Sequence, residues 1–109
     1  MKFAIIVRYE FDLSWLRLSR QERAANEEVF QKDIVGPFSD RLSVRDFDAE
    51  AFSTAYSDFL LIETDDLKAY YFFIEKLRDS DFIARGWVRL HDITIGIPDG
   101  YKEYENDHA

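Results

Sequence analysis

His91 is the one histidine that falls inside an expected element; the other, His108, lies in the C-terminal tail. A single imidazole suits a general base near neutral pH or an axial haem ligand. The plainer reading is a partly exposed sheet histidine hydrogen-bonded to a neighbour, and it takes precedence. No second histidine in an element and no cysteine supports haem, and His91 stands in a strand pattern rather than on a helix. Zinc needs three or four ligands, and only carboxylates remain to supplement one imidazole. We therefore expect no metal and no cofactor.

Arg8, Arg45 and Arg89 also fall within expected strands. An arginine on an otherwise apolar sheet face needs an anionic partner, either a ligand carboxylate or a protein carboxylate such as Glu63. A salt bridge within or between subunits is the first expectation. If an arginine does hold a ligand, a small apolar or aromatic acid fits, because the walls would be Trp, Tyr and Phe. Period-two alternation puts His91 on one face of its strand with Trp87, Arg89 and Ile93, and Asp92 on the other. The candidate pocket set is thus Arg8, Arg45, Glu63, Trp87, Arg89 and His91. Asp46, Asp48 and Glu50 cluster by sequence only, and read as a solvated strand end rather than a paired-carboxylate acid/base site. The glycines Gly36, Gly86, Gly96 and Gly100 are isolated, and no nucleotide, serine-hydrolase or metalloprotease spacing occurs.

These side chains need elements to hold them. Residues 2–9 (KFAIIVRY) are β-branched and aromatic and form a first strand. A loop with Trp15 and Leu16 follows. Ser19 and Glu22 have capping-box spacing, which starts a helix over about 20–35, stopped by Gly36-Pro37. Its stripe is imperfect: Leu18, Ala25 and Val29 lie on one edge, Phe30 and Ile34 on the next. Residues 41–47 form a second strand, and Phe52 and Tyr56 are expected anchors of the link that follows. Residues 59–63 (FLLIE) are nearly all apolar and form a third, central strand. Thr64 is expected to cap a second helix, with Asp65 and Asp66 in its first turn and its end near Asp79. A short turn over 81–85 and a fourth strand over 87–97 complete the domain.

In the second helix four aromatics run consecutively, from Tyr70 to Phe73. At about 100° per residue, Leu67, Tyr70, Tyr71, Ile74 and Leu77 form one stripe against the sheet. Phe73 falls at its border and Phe72 points away, either as an ordinary exposed ring or as a contact for a partner.

The order βαββαβ is that of an α+β, ferredoxin-like domain: one antiparallel four-stranded sheet with two helices on one face. It occupies residues 1–100, with an acidic, loose tail over 101–109. The second sheet face is left open, and two such sheets packed face to face would cover it. A homodimeric α/β barrel is the expected assembly.

The chain has 109 residues, enough for one domain and core. Its net charge of −8 and lack of a basic stripe disfavour nucleic acid. With no cysteine, disulfides and thiolate chemistry are excluded. The apolar runs are too short to span a membrane, and the N-terminus lacks a signal-peptide pattern, so a soluble cytoplasmic protein is expected.

Three blocks, Trp15-Leu-Arg-Leu-Ser-Arg-Gln-Glu-Arg23, Val44-Arg-Asp-Phe-Asp-Ala-Glu-Ala-Phe52 and Asp66-Leu-Lys-Ala-Tyr-Tyr-Phe-Phe-Ile-Glu-Lys-Leu-Arg-Asp79, together resemble the darcynin family. That resemblance implies a small bacterial protein of the dimeric α/β-barrel type, with no known activity and so no catalytic residues to carry over. More loosely, Leu61-Ile-Glu-Thr64 leading into the second helix, then Leu77-Arg-Asp-Ser-Asp-Phe82, is similar to antibiotic-biosynthesis monooxygenases and their relatives. The expected function is a homodimer binding a small apolar or aromatic acid. The alternatives are a non-catalytic interaction module with a filled barrel and a cofactor-free monooxygenase- or isomerase-like enzyme.

Overall fold

The computed structural model describes residues 1–108, with the backbone alone for His108; Ala109, the last residue of the expected tail, lies outside the described residues. Strand β1 (Phe3–Phe11) leads into a one-turn helix α1 (Leu13–Leu16), where a loop was expected. The Asp12 carboxylate accepts the Ser14 amide proton at 2.8 Å and so caps α1, which carries Trp15 into the core. Helix α2 (Arg20–Val29) begins at the expected capping box: Ser19 Oγ accepts from the Glu22 amide at 3.0 Å, and Glu22 accepts from the Ser19 amide at 3.1 Å.

The broken stripe of this helix has a structural counterpart. From Phe30 the chain widens into a π-helical segment (Phe30–Val35) and then tightens into a 3₁₀ turn (Gly36–Phe38). The wider turn delays the rotation, so Phe30 and Ile34 reach the core while Val29 stays exposed.

Strands β2 (Ser43–Asp48), β3 (Asp58–Thr64) and β4 (Val88–Gly96) complete one antiparallel sheet in the order β2-β3-β1-β4. Between β3 and β4 run α3 (Leu67–Arg78) and the single turn α4 (Asp81–Ala84), which Gly86, at φ +71°, leads out of. This is the ferredoxin-like arrangement, with β3 central as expected and β1 beside it. Residues 100–108 form helix α5 (Gly100–His108) rather than a loose tail, and the side chains over 101–107 are exposed. Among the described residues, no helix is long and apolar enough to cross a membrane.

Several local expectations are corrected. Asp66, not Thr64, caps α3, accepting the Ala69 amide proton at 3.0 Å. Thr64 ends β3 instead; its hydroxyl donates to the Arg41 carbonyl at 2.8 Å and accepts from the Asp66 amide at 2.9 Å. The link after β2 is anchored by Ala49 and Tyr56, while Phe52 is 93% exposed. The buried stripe of α3 is Ala69, Phe73, Ile74 and Leu77, centred on Phe73 rather than Tyr71, which is 60% exposed. Phe73 meets Phe30 and Phe38 edge to face, with ring centroids 6.5 and 6.1 Å apart, so the π segment and the following turn decide which ring goes inward. Phe72 is half-exposed, with the Lys68 ammonium 5.6 Å above its ring.

Candidate functional site

Residues of β1 alternate strictly. Phe3, Ile5, Val7, Tyr9 and Phe11 face the helices, and Ala4, Ile6, Arg8 and Glu10 face the open side. The register carries this alternation across the sheet, so Arg45, Phe47, Phe59, Leu61 and Glu63 share the open side with Ile6 and Arg8. Phe47 and Phe59 stack at 4.9 Å there, between the charged ends of the sheet.

Every candidate arginine on this side already has a carboxylate. Arg45 Nη2 lies 3.2 Å from Glu63 Oε1, Arg8 Nη1 lies 2.9 Å from Asp92 Oδ1, and Arg89 Nη2 lies 2.8 Å from Glu10 Oε2. Arg8 also stands over the Tyr56 ring at 5.7 Å. His91 Nε2 approaches the other Glu10 oxygen at 3.6 Å, so Glu10 gathers Arg89 and His91 at one corner.

The expected face assignment of β4 fails at His91. Arg8 pairs with Asp92 and Tyr9 with Leu90, leaving His91 as the extra residue of a β-bulge. Beyond the bulge the parity reverses: Asp92 joins the open side and Ile93, opposite Val7, joins the helix side. Trp87 precedes the strand and is buried on the helix side, 5.4 Å from Trp15 and 6.0 Å from Phe82 between ring centroids. The sheet therefore brings Arg8, Arg45, Glu63, Arg89 and His91 to one face and places Trp87 elsewhere.

The opposite face holds a cleft of about 280 Å³. Its floor is Tyr9, Phe11, Asp46, Leu60, Val88 and Leu90, and its roof is Glu27, Phe30, Gln31, Leu77 and Phe82. Tyr9 donates its hydroxyl proton to Asp46 Oδ1 at 2.7 Å. Burial pushes the Tyr9 pKa up, and the Asp46 carboxylate adds to this. Desolvation likewise raises the Asp46 pKa against the pull of the Tyr9 bond, and the charge of Glu27 contributes in the same direction. As expected, Asp46 is solvent-exposed near the end of β2, while its alternation with Val44 turns the carboxylate to the helix-covered side of the strand.

A family model described as darcynin, a domain of unknown function, matches residues 3–108. The chain belongs to the darcynin family. It is 37% identical over 94 residues to Darcynin 1 of Acinetobacter baumannii, covering 84% of this chain and all of that relative. It is 39% identical over 62 residues to the darcynin of Chromobacterium violaceum, covering 57% of this chain and 78% of that one. Among solved structures, the chain resembles chlorite dismutase from Candidatus Nitrospira defluvii in complex with imidazole, with a TM-score of 0.74 at 14% identity. A heme-binding protein from Thermus thermophilus matches with a TM-score of 0.77 at 11% identity. This chain is covered at 94% and 86% respectively but spans only 46% and 38% of those chains, so the likeness is one of fold.

Proposed function

We propose that this darcynin-family chain is a homodimeric, cytoplasmic small-molecule-binding module whose sheets meet through their open sides. The observation that carries the reading is the charge balance of that side. The chain as a whole has a net charge of −8, yet Arg8, Arg45 and Arg89 are matched one to one by Asp92, Glu63 and Glu10. A two-fold interface sets a patch against its own copy, so a neutral patch of paired charges around Ile6, Phe47, Phe59 and Leu61 meets itself without net repulsion.

Within such a dimer, Arg8, Arg45, Glu63, Arg89 and His91 line the space between the sheets. A small apolar acid would enter by taking an arginine from its carboxylate. The pairing of all three arginines also favours a second reading, in which side chains fill the interior and assembly is the function.

The heme binding of the Thermus neighbour is not carried over. His91 Nε2 sits 3.6 Å from Glu10 at the corner, among the described residues no His, Cys or Met lines the cleft on the other face, and the Tyr9 hydroxyl there is held by Asp46. The residues present do not fit a ligated haem.

Native mass spectrometry of protein taken directly from cells tests the reading. It predicts a species of twice 12.9 kDa carrying a small adduct. A dimer without an adduct supports the filled interior, and a bare monomer removes both.

A further inference from the structure

We infer that the cleft between α2 and the sheet is a second site, which takes a compact organic cation: an ammonium group on a single ring or short branched chain. Its position is independent of the proposed dimer, because it lies on the helix side of the sheet.

The walls decide the class of ligand. Phe11, Phe30, Leu60, Leu77, Phe82 and Leu90 supply a largely apolar enclosure. At about 280 Å³ it falls just below the roughly 300–1,000 Å³ of pockets for drug-sized ligands, which suits one ring. The polar groups are few: the Tyr9 hydroxyl, the Gln31 amide and the carboxylates of Glu27 and Asp46. Among the described residues, no lysine, arginine or histidine lines the cleft or forms an ion pair with either carboxylate. Tyr9 spends its proton on Asp46 Oδ1, which leaves the tyrosine oxygen and Asp46 Oδ2 as acceptors.

A ligand must therefore donate hydrogen bonds and bring positive charge. An anion would meet two unpaired carboxylates beside an apolar wall and would be repelled. Desolvation, and then the nearby charge of Glu27, raise the Asp46 pKa, and a bound cation would relieve the second of these. An ammonium set between Glu27 and Asp46 supplies that charge while its ring takes the apolar part of the cleft, with Phe11, Phe30 and Phe82 available as π faces.

The test is a titration of the full chain with benzylammonium, benzyl alcohol and benzoate, followed by the methyl resonances of Leu60, Leu77 and Leu90. Benzylammonium should saturate those shifts at least tenfold more tightly than benzyl alcohol, and benzoate should leave those three residues' methyls unshifted. Glu27→Gln on exposed α2 should weaken benzylammonium at least fivefold while leaving benzyl alcohol unchanged. Lys102→Ala, on exposed α5 away from both sites, should change neither. Equal shifts at those methyls with all three probes, shifts there with benzoate alone, or no saturation with benzylammonium at millimolar concentration overturns the proposal. Failure of the dimer would appear as a mass and failure of this site as a lost titration, so the two are separable.

Discussion

Asp58 shows how crowding of like charge acts on a single residue. Partial burial pushes its pKa from 3.8 up to about 6; a hydrogen bond from Ser57 opposes this, and the neighbouring charges of Asp46, Asp48 and Glu50 add to it. The folded pKa thus exceeds the unfolded one, and the folded state holds the proton more tightly. Stability from this group is present below about pH 4 and is lost as pH rises towards about 6. Asp58→Asn should be nearly neutral at pH 4 and stabilising at pH 7, by on the order of 1 kcal/mol once solvent screening is allowed for. Urea denaturation of both proteins at the two pH values checks this, and an unchanged difference between them would contradict it. Legibility at this scale was uneven. The pairing of strand arginines with carboxylates was expected from composition, but the bond between Tyr9 and Asp46 joins residues 37 apart in sequence, on strands that are not neighbours in the sheet, and no local pattern announces it.

The helices follow local chemistry at their starts and tertiary contacts along their faces. The capping box of α2 was readable because its partners are three residues apart. Ser19→Ala should cost about 1 kcal/mol and lower the thermal midpoint, since the Glu22 amide proton loses its side-chain acceptor. No change in the calorimetric midpoint would mean that water serves that amide equally well. The face of α3 was less readable. A wheel counts apolar residues but not the neighbours that await them, and Phe30 and Phe38 select Phe73. The bulge at His91 is a similar case: one extra residue reverses the faces beyond it, and strict alternation has no means of anticipating the insertion. The four aromatics of α3 thus divide into one core ring, Phe73, a half-buried Tyr70, and two exposed rings, Tyr71 and Phe72.

At the scale of the whole molecule, the shortest dimension is 18 Å, about what one sheet and one helix layer occupy. The fold is therefore two layers, with one sheet face bare of helices. That much followed from the order βαββαβ, because the sequence of strand and helix patterns sets the topology. What meets the bare face does not follow from one chain. The Leu61 side chain sits near the middle of that face, with Arg45 and Ile6 opposite it on the neighbouring strands. Leu61→Glu leaves the helix-side core untouched and would bury an unpaired carboxylate only if a second sheet lies against it. Light scattering at micromolar concentration, with circular dichroism to confirm the fold, is the most direct measurement. The expected result is twice 12.9 kDa for the natural chain and 12.9 kDa for a folded Leu61→Glu. A natural chain that scatters as a monomer, or a Leu61→Glu variant that remains a dimer, would contradict assembly through the open face.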